Sequence, residues 1–328
     1  MARTLLIRLA TFLASLLVAS IIVFSLLNLL PGDVAGVILG SSATPEAVAQ
    51  LRAHMGLDQP FMMRYLSWLG GLLHGDLGHS AFSQLPIGPM VASKLGVTFS
   101  LVILGMVLAV VVALPLGAYA AVQRRRLSGV VVSVLPQIGM AVPAFLAGIV
   151  LVTIFAVKLG WLPANGYTPL LVNPLDWLRR LILPAVALAI VQSAVLMRYV
   201  RAAFIDVLQQ DYFRTARAIG WSRYRAVMRH GVRNAALQIV TVIGLQLTTL
   251  FVGAVVIENV FVLPGLGWLL LSAVRSRDLP VVQSVVMVLV ALILAINTIV
   301  DMTYAAIDPR LRADKPAPVE ADEPEVAA

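Results

Sequence analysis

The chain has 328 residues, 60% of them apolar and 12% charged, with a mean hydropathy of +0.94. Soluble domains carry roughly twice that share of charge, so a secreted enzyme, a disordered adaptor and a nucleic-acid-binding domain are poor readings, despite a formal charge of +8 and a pI near 10.3. There is no cysteine, which removes disulfides, thiolate nucleophiles and cysteine-ligated metals and leaves the redox compartment undetermined.

A hydrocarbon core of ~30 Å is crossed by roughly 20 apolar helical residues, because backbone groups in lipid must be satisfied within their own segment. Six stretches qualify: Leu9 to Leu30, Val97 to Ala121, Gly129 to Val157, Leu181 to Met197, Ala235 to Ile257 and Val281 to Val300. The first is too long for the ~7–15-residue apolar core of a signal peptide and is read as a span. The third carries Pro136 and Pro143, which remove backbone donors and predict a kink. The expected fold class is an all-α membrane protein with six transmembrane helices.

Residues 1–30 form the N-terminal segment and first span, followed by a loop over residues 31–96. In that loop Thr44 is a candidate N-cap, Pro45 sits at N1, Val48, Leu51 and Met55 repeat at helical spacing, and Gly56 is a stop signal. Phe61, Tyr65, Trp68, Leu69 and Leu72 make a second apolar stripe. Both suit interfacial helices lying on the bilayer; a substrate-contacting lid is the alternative.

Residues 97–312 form the five-helix core, and residues 313–328, rich in proline and acid, read as a disordered tail. With the N-terminus inside, one side of the membrane holds 16 of the 24 Lys and Arg residues and the other holds eight, partly in a long loop. The positive-inside rule therefore puts both termini in the cytoplasm. Eight arginines fall in residues 198–234. There Asp211 is a candidate cap for a short helix ended by Gly220, and Ser222 for the next.

The six spans contain no Asp, Glu, Lys, Arg or His. Ion-coupled transporters commonly place ionisable groups near the midplane, so a carboxylate proton relay is disfavoured; Glu258 and Asp301 stand at span ends. The chain has no phosphate-binding G-x-x-x-x-G-K-[ST] loop, no G-x-S-x-G elbow and no H-E-x-x-H pair. His74, Asp76 and His79 resemble a metal cluster, but two intervening glycines and the i, i+5 spacing keep both rings off one helical face, so no metal site is assigned. Gln137, Gln192 and Gln246 are candidates to line a polar pathway, against the alternative of interhelical hydrogen bonding. Asn297 and Asp301 share a face, and Asp301 could pair with an arginine.

Asp211-Tyr212-Phe213-Arg214-Thr215-Ala216-Arg217-Ala218-Ile219-Gly220, followed by Arg229-His230-Gly231-Val232-Arg233-Asn234, resembles the coupling loop of bacterial ABC-importer permeases of the peptide type. Three further stretches agree with that family. The first combines Pro31-Gly32-Asp33, Gly56-Leu57-Asp58-Gln59-Pro60 and Gly75-Asp76-Leu77-Gly78. The second runs from Glu258-Asn259-Val260-Phe261 through Pro264-Gly265-Leu266-Gly267 to Arg277-Asp278, and the third joins Asp301 and Tyr304 to Asp308-Pro309-Arg310. Arg214-Thr215-Ala216 stands where the wider superfamily has Glu-Ala-Ala, which favours the peptide and nickel branch.

The resemblance implies a type I ABC-importer permease fold and a coupling loop over residues 205–234. Its short helix, with Asp211, Arg214, Thr215, Ala216, Arg217, Ala218 and Gly220, would dock in a cytoplasmic ATPase subunit. Small Ala216 and Ala218 would allow close approach, and Arg214 and Arg217 would pair with carboxylates. The resemblance further implies two ATPase subunits that bind ATP and Mg, a second homologous permease and an extracytoplasmic substrate-binding protein. This chain would bind no cofactor itself, would contact lipids but no nucleic acid, and would sit in the bacterial inner membrane. Di- or oligopeptides are the implied substrate, with a nickel chelate or glutathione next; a channel working without ATP is the reading from another class.

Overall fold

The computed structural model describes residues 2–29, 34–39, 43–54 and 56–307. Pro31, Gly32, Asp33, Met55, the Asp308-Pro309-Arg310 motif and the tail over residues 313–328 lie outside them. The described residues are almost entirely helical. Five helices are long and apolar enough to cross a membrane, and a sixth crossing exists if one sharply bent pair counts as a single span.

Helix α1 (Ala2–Leu29) is followed by α2 (Val34–Leu39), α3 (Pro45–His54) and α4 (Phe61–Leu73). The cap signals of α3 hold: the Ala47 amide donates to Thr44 Oγ1 at 3.2 Å, Pro45 opens the helix, and Gly56 has φ +66. Helix α4 packs on α1 through rings. Phe24 of α1 lies 5.2 to 5.5 Å from the ring centroids of Phe61, Tyr65 and Trp68, and the Tyr65 hydroxyl meets Ser20 at 2.9 Å. Met62, Met63 and Leu66 remain exposed, so the predicted stripe is the face that joins α1.

Helix α5 (Ile87–Val122) begins ten residues before the predicted span and α8 (Pro174–Gln209) extends beyond its predicted span at both ends; each has 36 residues. At 1.5 Å per residue each is roughly 54 Å long, more than a bilayer core requires. Asn173 Oδ1 caps α8 by accepting from the Leu175 and Asp176 amides, both at 3.1 Å, with Pro174 at N1. The two long helices pack against each other where side chains are small. A Cβ at Gly117 would lie 2.7 Å from Val200 Cγ1, and one at Gly105 would lie 3.3 Å from Leu188 Cβ, so backbones approach as small residues permit in membrane bundles.

The third predicted span is two helices, α6 (Leu127–Ala141) and α7 (Ala144–Leu151), the second prolonged by a π-helical segment over Val152–Lys158. They meet at 95°. Pro143 stands at the break as the cap of α7, whereas Pro136 lies buried inside α6 without interrupting it. The expected kink is therefore a right-angle break at Pro143, and helix continues through Pro136.

After α8 come α9 (Asp211–Ala218), α10 (Arg223–Ala226), a π turn over Val227–Gly231 and α11 (Val232–Val260). Helical backbone thus runs unbroken from Arg223 to Val260, a rod of roughly 55 Å. Helix α12 (Leu266–Ser276), which the span pattern did not predict, separates α11 from α13 (Leu279–Ile307). Helix α13 lies against α1, where Arg8 pairs with Asp301 at 3.4 Å.

Three buried clusters run along the bundle. A central one joins α5, α8 and α11, a second surrounds α9 and α10, and a third joins α12, α13 and the start of α5.

Candidate functional site

The segment that resembled a coupling loop is a helix clipped onto one end of the bundle. Helix α8 stops at Gln209, and Gln210 is extended, with φ −71 and ψ 148, forming the cap position of α9. Asp211 is therefore the first helical residue and not the cap. Its carboxylate faces outward and pairs with Arg214 at 3.3 Å, both side chains largely in solvent. A negative residue in the first turn still suits the helix dipole.

Two side chains fix α9 to the chain itself. Phe213 and Ala216, one turn apart, are buried and pack with Phe204 and Val207 of α8 and with Ala226 and Val227. This corrects the part given to Ala216: it is only 5% exposed, so its small size serves internal packing and not approach by a partner. Arg214, Thr215, Arg217, Ala218 and Ile219 remain on the outward face, with Ile219 68% exposed. Thr215 Oγ1 donates to the Asp211 carbonyl at 3.0 Å. Partial burial raises the Tyr212 phenol above its ordinary range.

The end of α9 is set by hydrogen-bond geometry. The Trp221 amide donates to the Ala216 carbonyl at 3.2 Å and the Gly220 amide to the Arg217 carbonyl at 3.1 Å, the paired bonds of a Schellman cap. Gly220 holds the left-handed position, φ +91, and a Cβ there would meet nothing within 4 Å. The glycine is thus required by backbone conformation and not by crowding. Ser222 then caps α10, accepting from the Arg225 amide at 3.2 Å. Arg217 Nη1 donates to the Trp221 carbonyl at 2.6 Å, and the Arg225 and Arg229 guanidiniums sit 5.6 and 5.9 Å from the Trp221 ring. The sequence reading assigned Trp221 no part, yet it braces the turn between the two helices.

The three glutamines diverge. Gln137 is exposed on α6 and Gln246 half-buried on α11. Gln192 is 5% exposed and its Nε2 donates to the Gln246 carbonyl at 2.9 Å. It ties α8 to α11, so in this structure it lines no accessible surface. The His74, Asp76 and His79 segment is a turn: His74 Nδ1 meets the Gly70 carbonyl at 2.7 Å, and Asp76 Oδ1 accepts from the Gly78 amide at 2.8 Å. Among the described residues no three metal-ligating side chains converge.

At the opposite end of α11 lies a second polar cluster, built on Glu258 and the Gly265 to Gly267 and Arg277-Asp278 motifs, to which the sequence pattern assigns no site. Glu258 is completely buried. Thr98 Oγ1 of α5 donates to its Oε1 at 2.6 Å, and the Gly267 and Trp268 amides of α12 donate to its Oε2 at 2.7 and 3.2 Å. The Leu266 amide donates in turn to Thr98 Oγ1 at 2.9 Å. Asp278, beyond α12, is also buried and accepts from Ser80 Oγ at 2.5 Å and from the Ala81 amide at 3.1 Å. The available signal was the spacing of Glu258 to Gly265 and Gly267.

The structure is thus a bundle of five or six apolar helices with a short helix clipped to one end, and its relatives give it a class. Residues 113–313 match the family described as the inner membrane component of binding-protein-dependent transport systems, and residues 1–113 match its N-terminal counterpart. The chain belongs to that family of inner membrane permeases. A Brucella abortus (strain 2308) protein provisionally named a peptide transport system permease is 43% identical over 94% of this chain and 98% of its own length. The glutathione transport system permease protein GsiC of Escherichia coli O6:H1 is 39% identical over 93% and 97%. Among solved structures, an amino acid ABC transporter shares the fold with a TM-score of 0.50 at 16% identity, covering 67% of this chain and 94% of the other.

Proposed function

We propose that this chain is one of two transmembrane subunits of an ATP-driven importer of di- or oligopeptides. The observation that carries the reading is α9: Phe213 and Ala216 pin it from within, Gly220 ends it sharply, and Arg214, Thr215, Arg217 and Ala218 are left outward. A lever gripped from outside needs that combination of internal anchorage and free face. In this reading both termini and α9 face the cytoplasm, as the arginine distribution requires.

Two ATPase subunits, which bind the ATP and Mg that this chain does not, dock on α9 and on its equivalent in a second, homologous permease. Arg214 and Arg217 meet carboxylates there. An extracytoplasmic binding protein delivers substrate to the other end, and the path runs between the two permeases, with Gln137 and Gln246 as the polar side chains available to line it. Nucleotide must favour one arrangement of the bundle over the other by several kcal/mol to switch its population.

Peptides are favoured because similar proteins carry that name, and glutathione, itself a short peptide, is the second reading because GsiC relatives are nearly as similar. The test is uptake by the complete complex in proteoliposomes, with labelled dipeptides, longer peptides, glutathione and a nickel chelate in parallel. Peptide uptake that requires ATP, together with co-purification of an ATPase and a second permease on the tagged chain, supports the reading. Flux without any ATPase partner would replace it with a channel.

A further inference from the structure

We propose that Glu258 is the positioning residue that makes α12 travel with the end of α11, so that movement of the rod that begins beside α9 is delivered to the opposite end of the molecule. The inference rests on the importer reading for its use, but the clamp itself stands on geometry.

Helix α12 is short, and its first-turn amides have no partners within the helix. Glu258 and Thr98 supply them. The carboxylate takes the Gly267 and Trp268 amides, and the Thr98 hydroxyl takes the Leu266 amide while donating its own proton to Glu258. One buried carboxylate thus joins α5, α11 and α12. Three hydrogen bonds converge on this one carboxyl group in a site closed to water, and losing one leaves a buried donor unpaired.

The surrounding sequence is shaped to bring the carboxylate this close. A Cβ at Gly265 would lie 2.2 Å from Glu258 Oε1, and one at Gly267 would lie 2.4 Å from Val255 Cα. The connecting turn is strained: Val262, a β-branched residue, sits at φ +50. Such a conformation survives only where surrounding contacts over-determine it. Here the Leu263 amide donates to the Glu258 carbonyl at 2.8 Å, and Phe261 and Leu263 are fully buried on either side.

The far end of α12 is held in the same way. Asp278 fastens Ser80 and Ala81, and Ser284 Oγ donates to the Leu77 carbonyl at 2.7 Å. Helix α12 is therefore tied by hydrogen bonds to α11, and the segment around Ser80 to Asp278 and α13. Because helical backbone is continuous from Arg223 to Val260, a tilt imposed near α9 reaches α12 through Glu258.

The experiment uses the complete transporter in proteoliposomes, with cysteines in the partner subunits replaced. Since this chain has no cysteine, the exposed positions Val256→Cys on α11 and Ser276→Cys on α12 can be spin-labelled specifically and their separation measured. In the parent the distance should be narrow and unchanged by nucleotide. Glu258→Gln, which leaves one carbonyl oxygen where two carboxyl oxygens accept from Thr98 and both amides, should broaden the distance and lower substrate moved per ATP hydrolysed by roughly tenfold, within the usual range of coupling between sites, while ATPase turnover persists. Thr98→Val should do the same more weakly and Thr98→Ser should restore both readouts, which keeps the test decisive if Glu258→Gln fails to assemble. A parent-like distance and coupling ratio in Glu258→Gln, or in Thr98→Val if the former does not assemble, would overturn the proposal. If the parent shows no ATP-driven uptake, the importer reading fails, and the distance measurement still decides whether the clamp exists.

Discussion

Helices α9 and α12 are short elements at the two ends of one continuous rod, and both end in the same pair of backbone bonds. For α9 these are Trp221 to Ala216 and Gly220 to Arg217; for α12 they are Asp278 to Ala273 at 2.8 Å and Arg277 to Val274 at 3.1 Å. The residue in the left-handed position is Gly220 in one and Arg277, at φ +56, in the other. Their beginnings differ more. Helix α9 has no side-chain cap and opens in solvent, whereas α12 opens onto a buried carboxylate. In the proposed reading, the element gripped by another protein keeps its polar face outward and relies on backbone geometry, and the one that follows its own chain turns its polar groups inward.

The largest effect that would break this contrast is Gly220→Pro. Proline fixes φ near −65° and lacks the N–H that Gly220 donates, so the cap cannot form. Transport should be abolished while membrane insertion and the distance across α12 stay normal. Normal uptake would show that α9 is not the lever. Phe213→Ala comes next. A buried Phe truncated to Ala costs about 3–5 kcal/mol, and here the loss falls on the seat of α9, so ATPase co-purification should weaken more than permease pairing; an equal loss of both would argue for global unfolding. Asp278→Asn should be milder, since an amide can still accept from Ala81. Limited proteolysis near Ser80 should accelerate without loss of α12, and unchanged cleavage would mean that the segment is held by its apolar contacts alone.

Much of this was legible in the sequence. Runs of about 20 apolar residues announced the spans because the bilayer imposes that length, and Thr44, Gly220 and Ser222 announced local caps because capping chemistry is local. What failed was partly long-range and partly a matter of one-residue phase. Nothing near Glu258 in sequence shows that Thr98, 160 residues away, would complete its site, so a buried clamp read as a span end. Asp211 looked like a cap because the residue before it, Gln210, is a poor capper; the extended backbone at Gln210 left Asp211 one position inside. Ala216 looked like a contact residue because a small side chain suits an external or an internal interface equally. Only its phase with Phe213 assigns it inward. Helix α12 escaped because its 11 residues are too short for a span. Its apolar stripe also had to be told from the spans on either side.

The smallest effect expected is the most direct test of the shared ending. A non-glycine residue in the left-handed region costs about 1–2 kcal/mol, so Arg277→Gly should relieve strain at the end of α12. Glycine also loses more backbone freedom on folding, about 0.5–1 kcal/mol, so the net gain is small. The melting temperature of the purified complex should therefore rise by no more than a few degrees, while Gly220→Ala, the reverse change at α9, should lower it by a similar amount. If Arg277→Gly were instead clearly destabilising, the Arg277 side chain would have to be making a contact worth more than its backbone strain, and the two helix ends would be alike in backbone only.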